Sequence, residues 1–537
     1  MVPLTAPWRP RHMETPLLRR SLLATATLAW MPQPVSRPRA ATAAARSLTF
    51  SWPVNAGPLD PHGYSANQMY AQSMLYEPLV RYVEGGGIQP ALATAWRQEG
   101  RDWVFTLRRG VRFSDGTPFD AAAVVANIRA VLGRRQNHAW LDLVAQIEDA
   151  EAVDAGTVRL RLAHAYYPAL PELALIRPLR FASPAVLRPE GGVSAPVGTG
   201  PWVLAETVRG ERDVFTRNTL YWGEAPALER VVVKVVADAN TRALALETGE
   251  IDLTYGTDQL DGDNFRRFAT DPRFTTAVSP PLATRMLAVN SGRSPTAELA
   301  VRQAIQHGVD REALVRHVLL DAEPAAQTLF APNFPYTDLG LPPFGFDRAR
   351  AEALLEEAGW VRAAQRGGSR RKQGQELAFD LCFVGSDALQ KALAEAIQGD
   401  LARIGMAVRL LGEDAATFYG RQRSGEFGMI FADTWGAPYD PHAFLGSMRQ
   451  PAHADYQAQR GLPMKAEIDR RIGAVLVSTE EEHRAAEYRW LLTTLHEQAV
   501  YLPVSFLTNK LVYRKGFGTV PFGDTRYEIP FAQMRRG

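Results

Sequence analysis

The second half of the chain alternates short apolar runs with stretches of helical periodicity, and this alternation constrains the fold more than any other feature. The runs that predict β-strands are Leu377 to Val384, Ala407 to Leu411 and Met429 to Ala432. The stretches that predict helices are Glu298 to His317, Asp347 to Ala358 and Asp387 to Ile404. Strands that alternate with helices favour an α/β lobe, in which helices cover a sheet.

The first half of the chain is richer in strand patterns. Strands are predicted at Leu48 to Trp52, Trp103 to Leu107, Thr157 to Leu162, Val231 to Val236 and Ile251 to Tyr255. Helices are predicted at Asn67 to Leu79, from an N-cap at Asp120 to Leu132, and at Asn240 to Thr248, where Gly249 follows. The β-branched run 231–236 predicts a strand that is buried on both faces. The fold class predicted for the whole chain is therefore mixed α/β.

A chain of 537 residues is several times the usual domain of ~150 residues, so two or more lobes are expected. Cys382 is the one cysteine, so no disulfide can form within the chain and no CxxC motif exists. Because Cys382 lies in an apolar run, we interpret it as a core residue. The net charge of +2 argues against a nucleic-acid binder, and we interpret the Arg/Gly/Gln-rich segment 362–374 as an exposed loop.

Residues 1–45 have the pattern of an export signal. The pair Arg19-Arg20 precedes a short apolar stretch, and a run of small residues ends at Ala45. A twin-arginine signal, a general secretory signal and a disordered cytosolic extension remain open, and Met13 is an alternative start. The segment carries a net charge of +5, so its removal would leave a mature chain of net charge −3. No cysteine follows the signal, so we expect a freely soluble periplasmic protein and not a lipoprotein.

An ordered series of motifs spans most of the chain. The motifs are WVFTLRRGVRFSDGTPF at Trp103 to Phe119, GTGPW at Gly198 to Trp202, NTLYW at Asn218 to Trp222, LETGEIDL at Leu246 to Leu253 and VRQAI at Val301 to Ile305. In this order and spacing they resemble the peptide/nickel class of solute-binding proteins of ABC importers.

Three further stretches resemble the nickel-binding branch of that class. They are WPVNAGPL at Trp52 to Leu59, NQMYAQSMLYEP at Asn67 to Pro78, and TWGAPYDPHAFL at Thr434 to Leu445, which continues to Asp455. The resemblance implies a two-lobed binding protein with a ligand cleft between lobes that close by a hinge. Lobe I would comprise residues 46–287 and 508–537, and lobe II residues 288–507.

The resemblance also implies a ligand pocket. His453 corresponds to the histidine that ligates the metal, and a neutral imidazole suits Ni(II). Arg177 corresponds to an arginine that pairs with a carboxylate of the chelator, and Tyr439 to a hydroxyl that binds one. The aromatic and thioether wall would consist of Tyr64, Met69, Trp140 and Trp435. Since one protein ligand cannot hold nickel selectively, the other donors would come from a small chelator such as histidine or a polycarboxylate.

Asn137 departs from the family pattern, which has a second carboxylate-binding arginine at this position. Asparagine offers neutral donors and no charge. We therefore expect weaker selection for highly anionic chelators, or a preference for an amino-acid chelate. Arg135 or His138 could compensate for the missing charge.

The function that these patterns imply is capture of a nickel chelate and its delivery to the inner-membrane permease of an ABC importer, by a monomer without a cofactor. A receptor for di- or oligopeptides is the alternative within the same class, and a sensory or chaperone-like periplasmic protein is the rival from another class. No HExxH, GxSxG or P-loop pattern occurs, so no catalysis is indicated. We interpret His442 as structural, with Asp440 as a possible N-cap of its segment.

Overall fold

The computed structural model describes residues 46–64, 67–362 and 368–537, so the predictions for residues 1–45 lie outside the described residues. The α-helices of the described chain are Met69–Leu75, Ala121–Leu132, Asp142–Gln146, Ala169–Leu173, Ala239–Thr248, Gly262–Thr270, Leu299–Gly308, Arg311–His317, Arg348–Glu357, Ala388–Arg403, Ala415–Ser424, His442–Ser447, Ala454–Gln459, Lys465–Val477 and Glu481–Glu497. None of these helices is long and apolar enough to cross a membrane.

The sheet of the second half contains all three strands predicted there. Its spatial order is Ala407–Glu413, Ala378–Val384, Met429–Asp433, Ala283–Val289 and Tyr501–Leu507. The first three strands are parallel, Ala283–Val289 is antiparallel to Met429–Asp433, and Tyr501–Leu507 is antiparallel to Ala283–Val289. Every residue of Ala283–Val289 and Tyr501–Leu507 is buried, so this side of the sheet forms part of the core. The predicted lobe boundary after residue 287 falls within the strand Ala283–Val289.

The strands of the first half form separate sheets, and the end of the chain returns to one of them. One sheet has the order Ser47–Trp52, Arg230–Val235, Arg212–Arg217 and Trp202–Val208, and another has the order Ala93–Glu99, Asp102–Leu107, Thr157–Leu162 and Ile147–Asp154. Lys510–Arg514 lies between Leu253–Gly256 and Phe274–Val278. The smaller ladders are Val80–Val83 with Gly87–Pro90, Val361–Arg362 with Arg370–Lys372 and Gln375–Glu376, and Gly518–Thr519 with Arg535–Arg536.

Several helix ends follow directly from the sequence. The carboxylate of Asp120 accepts a hydrogen bond from the backbone N–H of Ala123, as an N-cap residue should. Asp387 does the same at the start of Ala388–Arg403, where it accepts from two backbone N–H groups. Gly249 ends its helix with φ of 81°, a left-handed conformation that glycine adopts without a steric penalty. These predicted ends are confirmed.

Two predicted helices are shorter in the structure. The pattern 67–79 forms a helix only over Met69–Leu75, because Tyr76 turns to extended backbone just before Glu77-Pro78. A residue that precedes proline is disfavoured in the helical region. The pattern 298–317 is interrupted at Asp310, whose carboxylate caps a second helix by accepting from the N–H of Ala313.

The predictions for two other segments were wrong in part. In Arg230–Val235, Val231 and Val233 are fully buried but Val232 is not, so one face alone belongs to the core. In the segment 362–374, Arg370 is fully buried in a short strand and donates to the carboxylate of Glu356 and the carbonyl of Trp360. One buried arginine produces no periodic pattern in a sequence, even when several acceptors bind its guanidinium. For this reason the composition of the segment indicated a solvated loop.

Gly198 and Gly200 allow a close approach of two backbones. A Cβ atom on Gly198 would lie 2.0 Å from the carbonyl oxygen of Leu75, and one on Gly200 would lie 2.5 Å from that of Met74. The backbone N–H of Gly200 donates to the carbonyl of Leu75 over 2.8 Å. These glycines therefore fix the C-terminal end of Met69–Leu75, the helix that begins with a residue of the candidate site.

Candidate functional site

One cavity of about 620 Å³ collects side chains from both halves of the chain. Of the residues predicted as ligand contacts, seven line it: Tyr64, Met69, Trp140, Arg177, Trp435, Tyr439 and His453. They lie up to 389 positions apart, and the segments 64–177 and 435–453 belong to different predicted lobes. The cavity has the size of a site for a small molecule, since such sites usually span about 300–1,000 Å³.

His453 precedes the helix Ala454–Gln459 and is half-buried in the cavity wall. His453 is the N-cap residue of that helix, but its side chain makes no capping hydrogen bond. The imidazole nitrogens are therefore not used to cap the helix. The ring centroid lies 5.9 Å from that of Trp435. Burial lowers the pKa of His453 below its ordinary value of 6.5, so the ring is neutral at neutral pH. A neutral imidazole in an apolar wall can donate a nitrogen lone pair to a metal ion.

Arg177 points its guanidinium into the cavity from the segment after Ala169–Leu173. One nitrogen donates to the backbone carbonyl oxygen of Tyr64 over 3.0 Å, and the group lies over the Tyr64 ring, 5.2 Å from its centroid. Within the described part of the chain Arg177 forms no ion pair with a carboxylate. Its positive charge is therefore available to an anion in the cavity.

Aromatic rings enclose the space between Arg177 and His453. The ring of Trp140 lies 5.8 Å from that of Tyr64, 6.1 Å from that of Trp435 and 6.1 Å from that of Tyr439. Burial raises the pKa of Tyr439 and raises that of Tyr64 to about 12, so both hydroxyls are neutral donors. Such a wall lowers the local dielectric and strengthens charged hydrogen bonds inside the cavity.

Asn137 does not line the cavity. It lies in the short 3₁₀ segment Arg135–His138 and is exposed, while the next residue, His138, is buried. His138 contacts the hydroxyl of Tyr64, and burial lowers its pKa to about 4. His138 is therefore neutral and does not replace the charge that the family pattern places at this position.

The cavity also contains residues that the sequence analysis missed. They are Val384, Gln390, Phe418, Tyr419, Gln422, Phe431, Ala432, Asp433, Thr434, Arg526 and Tyr527. Asp433 ends the strand Met429–Asp433, directly before the motif that begins at Thr434. Arg526 and Tyr527 come from the C-terminal segment, far from the motifs of the sequence analysis.

The interpretation of Asp440 as an N-cap was wrong, and His442 is buried, in keeping with the structural interpretation. The carboxylate of Asp440 accepts from the backbone N–H groups of Trp435 and Gly436, so it stabilises the loop that positions Trp435 and does not cap a helix. His442 is buried, with Nε2 3.6 Å from a carboxyl oxygen of Glu172, and this nitrogen makes no hydrogen bond in the described structure. His442 therefore belongs to the packing behind the cavity.

No group of three or more His, Cys, Asp or Glu side chains in the described residues is arranged to hold a metal ion. His453 is accordingly a single protein donor in a cavity that also presents guanidinium and hydroxyl groups. The arrangement suits an anionic or zwitterionic small molecule with an apolar surface. Such a molecule could also form one bond to the imidazole nitrogen of His453.

Comparisons with known proteins agree with the motif series. The family model described as bacterial extracellular solute-binding proteins, family 5 Middle, matches residues 87–456. The chain is 49% identical to the nickel-binding periplasmic protein of Escherichia coli (strain K12) over 499 residues, which cover 92% of this chain and 95% of that protein.

Solved structures give the same result. NikA from Brucella suis, in complex with Fe(III)-EDTA, has a TM-score of 0.90 and 52% identity to this chain, with 91% of this chain and 100% of that chain covered. NikZ from Campylobacter jejuni, in complex with Ni(L-His), has a TM-score of 0.74 and 21% identity, with 91% and 98% covered, which is a likeness in fold. Since the family model and a close relative both span most of the sequence, the chain belongs to family 5 of the bacterial extracellular solute-binding proteins and has the two-lobed fold of helices and sheets.

Proposed function

We propose that this protein captures nickel as a complex with a small organic chelator, such as histidine, and delivers it to the permease of an ABC importer. The observation that carries the proposal is the shared cavity, which is lined both by the neutral imidazole of His453 and by the guanidinium of Arg177, a group that forms no ion pair within the described residues. Nickel takes four to six nitrogen or oxygen donors, so a chelator would supply those that His453 does not.

Each predicted contact has a role in this proposal. His453 ligates the metal, Arg177 and Tyr439 bind a carboxylate of the chelator, and Tyr64, Met69, Trp140 and Trp435 exclude water. Asn137 is exposed and does not line the cavity, so it provides no charge where the family has a second arginine, and this favours an amino-acid chelate over a highly anionic one. The names of the relatives support nickel and a chelated metal as the cargo.

The proposal extends to location and partners. Relatives of this chain are periplasmic binding proteins, and residues 1–45 carry an export pattern, by either the twin-arginine or the general secretory route. We propose a monomer that meets the inner-membrane permease, has no catalytic activity and carries the metal as cargo and not as a cofactor.

A di- or oligopeptide receptor is the second candidate, because a carboxylate lines the cavity beside the arginines. Asp433 could accept the ammonium group of a peptide, and its side chain is about a third exposed towards the cavity. The two functions differ in whether His453 is needed, since a peptide has no metal for it to ligate.

A thermal-shift comparison of wild type with His453→Ala separates these candidates. The protein is purified without a metal-binding tag and mixed with nickel–histidine, with a nickel salt alone, or with a dipeptide library. We expect nickel–histidine to stabilise the wild type strongly and His453→Ala weakly, because stabilisation grows with ligand concentration over Kd. His483→Ala, which alters an exposed histidine, is the matched control. Equal stabilisation of wild type and His453→Ala by nickel–histidine would refute the metal-binding role.

A further inference from the structure

Arg526 is part-buried, and it differs from the buried arginines of the described chain, of which Arg285 donates to the carboxylate of Glu323. The guanidinium groups of Arg180, Arg242, Arg302, Arg311 and Arg370 each donate to backbone carbonyl oxygens, which satisfy their N–H groups. The side chain of Arg526 is 13% exposed, yet its guanidinium donates no hydrogen bond to an acceptor in the described part of the chain. None of its nitrogen atoms is among the fully buried atoms without a partner in the described residues, so these N–H groups reach the cavity and can donate to water or to a ligand there.

The carboxylates near Arg526 are too distant to be that partner. One guanidinium nitrogen lies 3.7 Å from a carboxyl oxygen of Asp433, and another lies 3.8 Å from one of Asp258. Both distances exceed that of a hydrogen bond, so these carboxylates compensate the charge of Arg526 without using its donors. Burial raises the pKa of Asp433, and the positive charges of Arg285 and Arg526 partly offset this rise. Asp433 would thus keep a cationic neighbour if Arg526 turned to a ligand.

Arg526 and Arg177 line the same cavity, from segments 349 positions apart. Both guanidinium groups have N–H donors that no carboxylate of the described chain accepts, and His453 lines the cavity with them. A guanidinium fork matches a carboxylate in geometry and charge, and the match is strongest in an enclosed site.

We propose that Arg526 is a second carboxylate-binding residue of the cavity and determines which chelates this protein accepts. The inference rests on the proposed function and adds a requirement to it: the cargo presents two carboxylates, one to Arg177 and one to Arg526. The positive charge that is absent at Asn137 is thus provided from the C-terminal segment, at a different place on the wall.

The test measures the affinity of two nickel complexes for wild type, Arg526→Gln and Arg526→Lys by calorimetry. One complex is nickel with two L-histidine molecules, which present two carboxylates, and the other is nickel with two histamine molecules, which keep the imidazole and amine donors but lack the carboxylates. We expect Arg526→Gln to reduce the ratio of the two affinities, histidine complex over histamine complex, by at least about tenfold. Arg526→Lys keeps the charge without the fork, so we expect a smaller reduction. It also keeps the proposal testable if Arg526→Gln does not fold.

The matched control is Arg535→Gln, which removes an exposed arginine of the same C-terminal segment that pairs with Glu224. Its affinity ratio should equal that of the wild type. An unchanged affinity of Arg526→Gln for nickel–histidine, or an equal loss for both complexes, would overturn the role of Arg526 while the proposed function stood. Wild type that binds neither complex would refute the proposed function and this inference with it.

Discussion

The hydroxyl oxygen of Tyr64 lies 2.6 Å from Nδ1 of His138, which joins the cavity wall to the segment that carries Asn137. Burial lowers the pKa of His138 to about 4, so this histidine is neutral at neutral pH. Its effect on the cavity is to orient Tyr64, whose backbone carbonyl in turn accepts from Arg177. Asn137 itself is exposed and does not line the cavity, while its neighbour His138 contacts the aromatic wall.

The first prediction concerns the protonation of His453. Because burial lowers its pKa below 6.5, the imidazole should stay neutral, and able to ligate a metal, at pH values where an exposed histidine is partly charged. NMR of protein with labelled histidine should show a titration midpoint below 6.5 for the resonance that His453→Gln removes. Addition of nickel–histidine should broaden that resonance selectively. A midpoint at or above 6.5 would contradict the burial of this ring.

The second prediction concerns Arg177. Arg177→Lys keeps the positive charge but loses the planar fork and the hydrogen bond to the carbonyl of Tyr64. We expect the affinity for nickel–histidine, measured by calorimetry, to fall at least about tenfold. Arg188→Lys, at an exposed position, should bind like the wild type. Wild-type affinity in Arg177→Lys would show that the group provides only charge.

The third prediction concerns the ion pair of Arg285 and Glu323, which is buried behind Asp433. Burial alone would raise the pKa of Glu323, but Arg285 and Lys510 lower it to about 2. Glu323→Gln would leave Arg285 buried without its counter-charge, and we expect the free energy of unfolding to fall by about 3–5 kcal/mol at neutral pH.

The pH dependence of this loss follows from the lowered pKa. The carboxylate stabilises the fold above the ordinary pKa of about 4.5, and this stabilisation is lost as the pH falls towards about 2. Denaturant titrations of wild type and Glu323→Gln should therefore differ most at neutral pH and converge in acid. Glu224→Gln, which removes an exposed partner of Arg535, should change the stability little.

The fourth prediction concerns Glu172, beside Tyr166 and His442. Burial raises the pKa of Glu172 from 4.5 to about 8, although the hydroxyl of Tyr166 and the N–H of Leu143 lower it. The folded protein then keeps a proton that the unfolded chain releases, so stability is lost as the pH rises from about 4.5 to about 8. Glu172→Gln imitates the protonated carboxyl and should not show this loss. In denaturant titrations, the variant should gain stability over wild type as the pH rises, and a constant difference would contradict the raised pKa.

The fifth prediction concerns Gly198. Gly198→Ala places a Cβ atom 2.0 Å from the carbonyl oxygen of Leu75, so the end of the helix Met69–Leu75 must move. We expect a large fall in the melting temperature and weaker binding of nickel–histidine, since Met69 begins this helix. The control is Gly399→Ala, within Ala388–Arg403, where the added Cβ meets no atom within 4 Å. That variant should be more stable by about 1 kcal/mol, because alanine favours a helix.

Much of the fold could be predicted from local patterns. Asp120, Asp387 and Gly249 mark helix ends through contacts with residues a few positions away, and the sequence contains both partners of each contact. Cys382 is buried in a strand as its apolar neighbours indicate. The failures involve contacts between distant segments, such as Arg370 with Glu356 or Gly198 with Leu75, which leave no periodic signal.

By itself the sequence determined the family, the alternation of strands and helices, and seven residues of one cavity, because motifs and periodicity are properties of neighbouring positions. Only the tertiary structure decided that Asn137 is exposed outside the cavity lining and that Arg526 lines the cavity together with Arg177. Both results depend on the packing of the whole chain. It determines which residues are exposed, and it brings together segments that lie 349 positions apart. The charge of a binding site therefore depends on this packing. A sequence motif alone does not show which arginines line the site.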